Sequence, residues 1–226
     1  PGKLEFILID DESEDATSKI IQEISNKDKR FIYETSTVGD ASLQLKKRAL
    51  DAGIFTAQNE WLLFTDVDCR VSSGWVAGMS GYFCSKNDYV IGHSNVKSGN
   101  TLLNLFQSLD YFLLLVAARG AANIGSAWAC SGQNQAYRKS LYQKVGGFSI
   151  IKNQIQGDDS LFLHVCRKRG KAVIVFADAL QSHVTARQEK TWISLINQRL
   201  RWSGDANIIW KFNVGFYMLI VVFFLL

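Results

Sequence analysis

The chain has 226 residues, of which 47% are hydrophobic and 20% are charged, so it can bury a core and is not intrinsically disordered. Its formal net charge of +4 is too small to indicate a nucleic-acid-binding protein, and no block of five like charges occurs. The four cysteines have no CxxC spacing, which argues against a zinc site or a disulfide framework and favours a reducing compartment.

Short apolar runs alternate along the chain with longer segments of helical periodicity. The apolar runs predict strands over 4–9, 31–34, 61–65, 89–91 and 172–177. The periodic segments predict helices over 15–25, 42–57, 101–118, 161–169 and 191–202. The helix over 101–118 is apolar enough to lie against a membrane surface. This alternation predicts an α/β fold with a mainly parallel sheet.

The C-terminal segment 212–226 carries no charge, and only Asn213 and Gly215 interrupt its apolar character. As a helix it would extend about 22 Å, which is short of the roughly 30 Å core of a bilayer. We expect residues 206–226 to be a truncated transmembrane helix, with a buried core helix as the alternative. Because Arg199, Arg201 and Lys211 precede the run, we expect residues 1–205 on the cytosolic side of the inner cell membrane.

Two acidic pairs directly follow predicted strands, Asp10-Asp11 after the first and Asp66-Val67-Asp68 after the third. In an open α/β sheet, ligands bind beyond the carboxyl ends of the strands, so both pairs are expected in one crevice. Clustered carboxylates repel each other, and a divalent cation removes that cost. Oxygen ligands suit Mg²⁺ or Mn²⁺ held in part by substrate phosphates. The alternative is that each pair only caps a turn or helix.

Two further motifs carry possible chemistry. Asp158-Asp159 precedes a predicted helix, where one carboxylate can cap the helix and the other can take a proton from an alcohol. Gln198, Arg201 and Trp202 are spaced to share one helix face and to grip a diphosphate and a sugar ring. An interfacial helix anchored by Arg and Trp beside a membrane is the alternative for this second motif.

The order of these motifs carries a family resemblance that covers nearly the whole chain. IDDESEDAT, KKRALDAGI, FTDVDC, SGQNQAYRK, VGGF, GDDSLF and QRLRW, followed by an apolar run, resemble segments of the membrane-associated family 2 glycosyltransferases. That family includes cellulose-synthase-like and hyaluronan-synthase-like enzymes and many bacterial relatives. The resemblance implies a GT-A-like nucleotide-sugar-binding domain over 1–205. Its first strand and helix would precede Pro1, so we expect an internal fragment of a longer enzyme.

The resemblance also implies roles for particular residues. It assigns donor nucleotide binding to Asp10, Asp11, Lys46, Lys47, Asp66, Gln198, Arg201 and Trp202. It assigns metal binding to Asp66 and Asp68, and acceptor binding to Gly132, Asn134 and Trp202. Asp159 falls on the general base, with Asp158 beside it in the catalytic acidic pair. Glu12 stands where the family segment has glycine, and Asp51 stands where it has asparagine.

The implied activity moves a sugar from a nucleotide-diphosphate donor, expected to be a UDP-sugar, to a hydroxyl of a glycan or lipid acceptor. We expect direct displacement with inversion, since the sequence offers a general base but no Ser-His or Cys-His arrangement for a covalent route. Mg²⁺ or Mn²⁺ and a membrane are the expected partners, and nucleic acid is not.

Two other function classes remain open from the sequence. LLFTDVDCRV resembles the nucleophile segment of haloacid-dehalogenase-type phosphatases, in which Asp66 would attack phosphorus, although QRLRW then has no role. A catalytically inactive, membrane-bound sugar-nucleotide binder is the other alternative. Sugar-nucleotide turnover, compared with phosphate release from simple esters, separates the three.

Overall fold

The computed structural model describes residues 4–97, 99–154, 156–203, 214 and 218. By internal contacts the chain divides into two compact units. The first unit consists of Pro1–Leu62 and Arg138–Asp158, and the second consists of Leu63–Tyr137 and Asp159–Leu226. The chain passes from one unit to the other within strand β3 (Trp61–Phe64) and within strand β7 (Gln135–Arg138).

The first unit is built on two parallel strands, β1 (Phe6–Asp10) and β2 (Phe31–Thr35). Phe6 pairs with Phe31 in this register, and their rings stack at 4.6 Å between centroids. Helices α1 (Thr17–Lys27) and α2 (Lys46–Thr56) pack on this pair, and α5 (Lys139–Lys144) belongs to the same unit.

The second unit contains a sheet in the order β3-β7-β5-β8 and a smaller sheet in the order β4-β9-β6. The remaining strands are β4 (Arg70–Val71), β5 (Tyr89–Gly92), β6 (Ser94–Val96), β8 (Ile174–Ala177) and β9 (Val184–Ala186). Its helices are α3 (Trp75–Ser80), α4 (Leu102–Asn123), α6 (Ser160–Lys168) and α7 (Trp192–Ser203).

The core of the second unit is aromatic where β5, β7 and α6 meet. Tyr89, Tyr137 and Phe162 are fully buried, and the Tyr137 ring lies 5.3 Å from Tyr89 and 5.1 Å from Phe162. Phe64 at the end of β3 stacks on Tyr137 at 4.6 Å. These contacts fix α6, so its N-cap residue Asp159 has a defined position in the unit.

The α/β class is confirmed, but the expectation of a mainly parallel sheet is wrong because both sheets of the second unit are mixed. Strand β5 is parallel to β8 and antiparallel to β7, and β9 is parallel to β6 and antiparallel to β4. Strand β7 has the sequence QAYR, which lacks the apolar run that identifies a buried strand. Its Gln135 is nevertheless buried, because the side-chain carbonyl accepts a hydrogen bond from the Tyr89 hydroxyl.

The five strands and five helices predicted up to residue 202 are present, with shifted ends. Helix α2 begins at Lys46 rather than at residue 42, because Leu45 has a φ of +54° and cannot continue a right-handed helix. The predicted span over 206–226 lies outside the described residues apart from Val214 and Met218, which are helical and exposed. Among the described helices, α4 passes the length and hydropathy criteria for a membrane span, which core helices of soluble proteins also satisfy.

Candidate active site

Asp10 ends β1 and is buried in the first unit. Its carboxylate accepts hydrogen bonds from the Ser13 backbone N–H at 3.2 Å and from the Tyr33 hydroxyl at 3.5 Å. Asp11 is exposed, and Glu12 has a φ of +59°. The loop therefore keeps the left-handed conformation that glycine adopts most easily, although this chain has glutamate there.

The two lysines at the start of α2 have different surroundings. Lys47 is fully buried, and its amine donates hydrogen bonds to the backbone carbonyls of Gln154 and Gln156. Lys46 is half-exposed and pairs with the Asp158 carboxylate at 3.1 Å. Both lysines thus hold the segment that leads into the Gly-Asp-Asp motif. The nucleotide contacts predicted for them stay predictions.

Asp51, on the same helix, accepts a hydrogen bond from the Tyr142 hydroxyl at 2.6 Å and one from the Asp40 backbone N–H at 2.8 Å. Replacement of the family's asparagine by aspartate therefore gives an acceptor for two donors within the first unit. Burial, followed by the hydrogen bond to Asp51, raises the pKa of Tyr142 well above its ordinary value, so the phenol remains the donor.

In the second unit, Asp66, Asp68 and Cys69 form a cluster in the loop after β3. Their side-chain ligand atoms all lie within 4.8 Å of one another. The Cys69 N–H donates to the Asp66 carbonyl at 3.0 Å, a turn that leaves Val67 fully exposed between the two carboxylates. Two partly exposed carboxylates this close fit a divalent cation that completes its shell with water or phosphate oxygens.

Cys69 differs from the carboxylates in its chemistry. Burial raises the pKa of its thiol to about 12, and the charges of Asp66 and Asp68 add to that effect. Its Sγ lies 3.7 Å from an Asp68 oxygen. Mg²⁺ and Mn²⁺ prefer oxygen ligands, so the donors of this cluster that suit either metal are the two carboxylates.

Asp159 caps α6 and contacts the predicted acceptor loop. One carboxylate oxygen accepts from the Ser160 N–H, and the other lies 3.4 Å from the Gly132 N–H. The Ser160 hydroxyl also donates to the Cys130 carbonyl at 3.0 Å and accepts from the Cys130 N–H at 3.2 Å. The predicted base and the predicted acceptor loop are therefore held together, although 27 positions separate Gly132 from Asp159 in the sequence.

Tyr111 is a further polar side chain at this place, and the sequence analysis missed it. Its hydroxyl lies 3.0 Å from the Ser131 hydroxyl and 2.8 Å from the Gln133 side-chain carbonyl, on either side of Gly132. Burial raises the pKa of Tyr111 to about 12, and the charge of Asp159 contributes to the shift. Tyr111 lies among apolar residues in the sequence of α4. Only its hydroxyl, at a position that faces inward on the helix, distinguishes it from the core residues around it.

Asn134 is fully buried. Its amide nitrogen donates to the backbone carbonyls of His93 and Ser182, each at 2.8 Å. Its amide oxygen accepts from the Trp75 indole N–H at 3.1 Å. The side chain thus holds four parts of the second unit in place. The acceptor contact predicted for it stays a prediction.

The Gln-x-x-Arg-Trp motif lies in the last turns of α7. Gln198 donates to the Glu189 carboxylate at 3.0 Å and accepts from Arg199, whose guanidinium stacks on Trp202 at 4.2 Å. The Trp202 ring lies 6.0 Å from that of Tyr111, so it reaches the surroundings of the acceptor loop. The Arg201 side chain is exposed.

The structure therefore distributes the predicted residues over both units. Asp10, Asp11, Lys46, Lys47 and Asp158 belong to the first, and the predicted metal, acceptor, base and Gln-x-x-Arg-Trp residues belong to the second. Within the second unit, Gly132, Asp159, Tyr111 and Trp202 form a connected set.

Comparison with known proteins identifies the class to which this arrangement belongs. Residues 1–146 match the sequence profile of Glycosyl transferase family 2. The chain is 26% identical over 231 aligned residues to the probable glycosyltransferase YdaM of Bacillus subtilis (strain 168), covering 96% of this chain and 51% of that protein. Because the matched profile covers more than half of its length, the chain belongs to glycosyl transferase family 2.

Solved structures share the fold at low sequence identity. The mannosyltransferase PcManGT from Pyrobaculum calidifontis, in complex with GDP-Man and Mn²⁺, superposes with a TM-score of 0.63 at 16% identity, over 88% of this chain and 52% of that one. Glucosyl-3-phosphoglycerate synthase from Mycobacterium tuberculosis, with Mn²⁺, UDP and glucosyl-3-phosphoglycerate, gives 0.53 at 15% identity, over 92% and 68%. The fold is GT-A-like, and the chain spans about half the length of YdaM and PcManGT.

Proposed function

We propose that this chain carries the catalytic domain of an inverting glycosyltransferase, which moves a sugar from a nucleoside diphosphate, UDP first among the candidates, to a hydroxyl acceptor. The contact between the Asp159 carboxylate and the Gly132 N–H carries the proposal. It sets a carboxylate beside the loop that the family resemblance assigns to the acceptor. The acidic Asp66 and Asp68 cluster in the same unit supports a metal-bound donor diphosphate.

In the proposed reaction, the acceptor oxygen attacks the anomeric carbon as the bond from that carbon to the diphosphate oxygen breaks. The acceptor proton passes to the Asp159 carboxylate, and the nucleoside diphosphate leaves with both bonding electrons. A general base of this kind contributes roughly 10²–10⁴-fold to the rate. Asp159 is preferred to Asp158 because it is partly exposed, whereas Asp158 is buried and paired with Lys46.

The chain's own residues also bind and orient the reactants in this proposal. Asp66 and Asp68 would hold Mg²⁺ or Mn²⁺, which neutralises negative charge on the diphosphate when bound. Arg201, exposed near the end of α7, is suited to the leaving diphosphate because a guanidinium matches phosphate oxygens. Tyr111 holds the loop around Gly132, so the acceptor meets a fixed backbone.

We further propose that the reaction takes place at the cytosolic face of a membrane, with a glycan or lipid as acceptor. The uncharged run over 212–226 and the basic residues before it support this placement. Thiol labelling of exposed Cys84 in intact cells tests it, because a cytosolic domain is labelled only after the membrane is permeabilised.

The transfer reaction is tested on the full-length protein with UDP- and GDP-sugars and either metal, by measuring nucleoside diphosphate release with and without candidate acceptors. Asp159→Asn should lower turnover by roughly 10²-fold or more and leave donor affinity unchanged. Asparagine caps helices as well as aspartate does, so α6 should keep its N-terminus. Asp178→Asn, at an exposed carboxylate paired with Arg119, is the matched control and should retain activity.

Three results would contradict the proposal. Retention of the donor's anomeric configuration in the product would exclude single displacement. Equal donor affinity with and without a chelator would exclude the metal. Phosphate release from simple esters that depends on Asp66, without nucleotide release from sugar donors, would instead identify a phosphatase.

A further inference from the structure

Helix α4 has two stripes with opposite environments. Its inward stripe includes Leu103, Gln107, Tyr111, Leu115 and Ala118, which are buried, and the helix packs on β6 and β8. Its outward stripe consists of Leu102, Phe106, Leu109, Leu113 and Val116, all of them exposed. These positions recur at spacings of three and four residues, so they form one apolar line on the side where a helix of a soluble domain is normally polar.

The apolar line continues onto α7. Trp192, Ile193, Ile196 and Leu200 are exposed on that helix, and Ile193 retains 73% of its accessible surface. The Trp192 ring lies 5.6 Å from that of Phe106 and joins the two helices. Single exposed apolar side chains are common on protein surfaces, but a continuous set over two helices marks an interaction surface. We name these nine residues of the two helices the α4–α7 surface.

The charges around this surface are positive. Segments 94–123 and 187–203 contain six basic and two acidic residues, a net +4 that equals the net charge of the whole chain. Both acidic residues are engaged, since Asp110 pairs with Arg199 and Glu189 accepts a hydrogen bond from Gln198. Of the basic residues, Arg119 pairs with Asp178, which lies outside these segments. Lys97 and Lys190, by contrast, are exposed.

A groove of about 600 Å³ beside α4 brings Lys97 close to apolar side chains. One wall contains Leu105, Leu109 and Phe112 of α4, and the other contains Asn95 and Lys97 on and after β6. A cation is thus next to apolar side chains, the arrangement that an anionic headgroup above its acyl chains requires. Tryptophan is enriched at the same depth of a bilayer, as Trp192 would be here.

From these observations we infer that the α4–α7 surface lies on a bilayer containing anionic lipids, with its apolar side chains inserted at the headgroup boundary. Because the inward stripe of α4 packs on β6 and β8, the helix can lie in the interface without leaving the domain. The inference does not depend on the apolar run at the C-terminus. Its failure would leave the proposed transfer reaction untouched, since the test below measures no activity.

An environment-sensitive fluorophore on single introduced cysteines tests the inference in the 226-residue chain with Cys69→Ser and Cys84→Ser, which removes the two cysteines that are not buried. Leu109→Cys places the label on the surface, and Phe55→Cys places it on an exposed apolar position of the first unit, with 73% exposure against 59% for Leu109. With vesicles of phosphatidylcholine and phosphatidylglycerol, the label at 109 should shift to the blue and be quenched by brominated acyl chains. The label at 55 should remain in water even if the C-terminal run attaches the chain to the vesicle.

Charge reversal tests the lipid preference. Lys97→Glu with Lys190→Glu should weaken the response at position 109 to anionic vesicles at least tenfold, because each basic residue near such a surface contributes about 1 kcal/mol. Lys19→Glu with Lys29→Glu, at exposed positions of the first unit, should not weaken it. The inference is overturned if the label at 109 responds no more than the label at 55. It is also overturned if the blue shift occurs without vesicles and depends on protein concentration, because a second copy then covers the surface.

Discussion

Replacement of Asn134 by alanine should destabilise the second unit strongly. The side chain is fully buried and makes three hydrogen bonds, to the Trp75 indole and to the carbonyls of His93 and Ser182. Alanine removes all three bonds and cannot replace any of them. The loss should therefore appear as reduced stability before any effect on an acceptor is considered.

The magnitude follows from the groups that are left behind. The Trp75 N–H and the Ser182 carbonyl lose the hydrogen bonds described above, whereas the His93 carbonyl keeps the bond from the Val184 N–H at 3.0 Å. A buried polar group without a partner costs about 1–3 kcal/mol. We therefore expect the free energy of unfolding to fall by about 2–6 kcal/mol, a large part of the total stability of an ordinary domain.

Urea denaturation followed by tryptophan fluorescence measures the change, because the midpoint multiplied by an unchanged slope gives the free energy. Asn95→Ala is the matched control. Asn95 lies on β6 and is exposed, so its replacement should change stability by no more than about 0.5 kcal/mol.

Gly92→Ala tests the same packing from the opposite side. A Cβ at Gly92 would lie 2.3–2.4 Å from the amide atoms of Asn134, so we expect this variant to lose about 1–3 kcal/mol. In the double variant with Gly92→Ala and Asn134→Ala this clash is absent. The double variant should therefore lose less free energy of unfolding than the sum of the losses of the two single variants. An Asn134→Ala variant within 1 kcal/mol of wild type, with lost transfer but intact donor hydrolysis, would refute this reasoning and support acceptor binding.

Three further outcomes follow from single residues. Tyr111→Phe removes the hydroxyl between Ser131 and Gln133, so the KM for acceptor should rise about tenfold in steady-state kinetics, at unchanged donor affinity. Glu12→Gly should raise the free energy of unfolding by about 0.5–1 kcal/mol, because φ is +59° there, whereas Glu14→Gly should not. Burial, with Arg167 and Lys168 adding to it, lowers the pKa of His164 to about 4, so the unfolded chain binds a proton first as pH falls. Stability should therefore fall by about 3 kcal/mol between pH 6.5 and 4 in urea titrations, and His164→Leu should remove most of that slope.

The helices and strands that were predictable from sequence are those in which buried positions carry apolar side chains. Strand β5 buries all four of its residues and helix α6 buries six of its nine, and their apolar residues are visible in the sequence. Strands β4, β6 and β9 are two or three residues long, too short for a periodic pattern. The mixed direction of the sheets depends on these short strands and on β7, so sequence alone favoured the simpler parallel arrangement.

At the candidate site, residue types were predictable, but their partners were not. Motif order placed Gly132 and Asp159 in one reaction, and the structure brings them into contact. Lys47 was assigned to the nucleotide by the family resemblance of the KKRALDAGI segment. Its burial and its bonds to backbone carbonyls depend on a segment more than 100 positions away, which no local pattern encodes.

Asp158 and Asp159 have the same side chain, so only their surroundings indicate which of them is suited to be the general base. Asp158 is buried, and its carboxylate is paired with the Lys46 ammonium, so accepting a proton there would cost the ion pair. Asp159 is partly exposed and accepts two backbone N–H groups, one at the N-terminus of α6 and one from Gly132. Those donors fix the direction of the carboxylate, and a base that acts as the acceptor bond forms depends on its position. The proposed division therefore assigns Asp158 to holding the segment through Lys46, and Asp159 to the reaction.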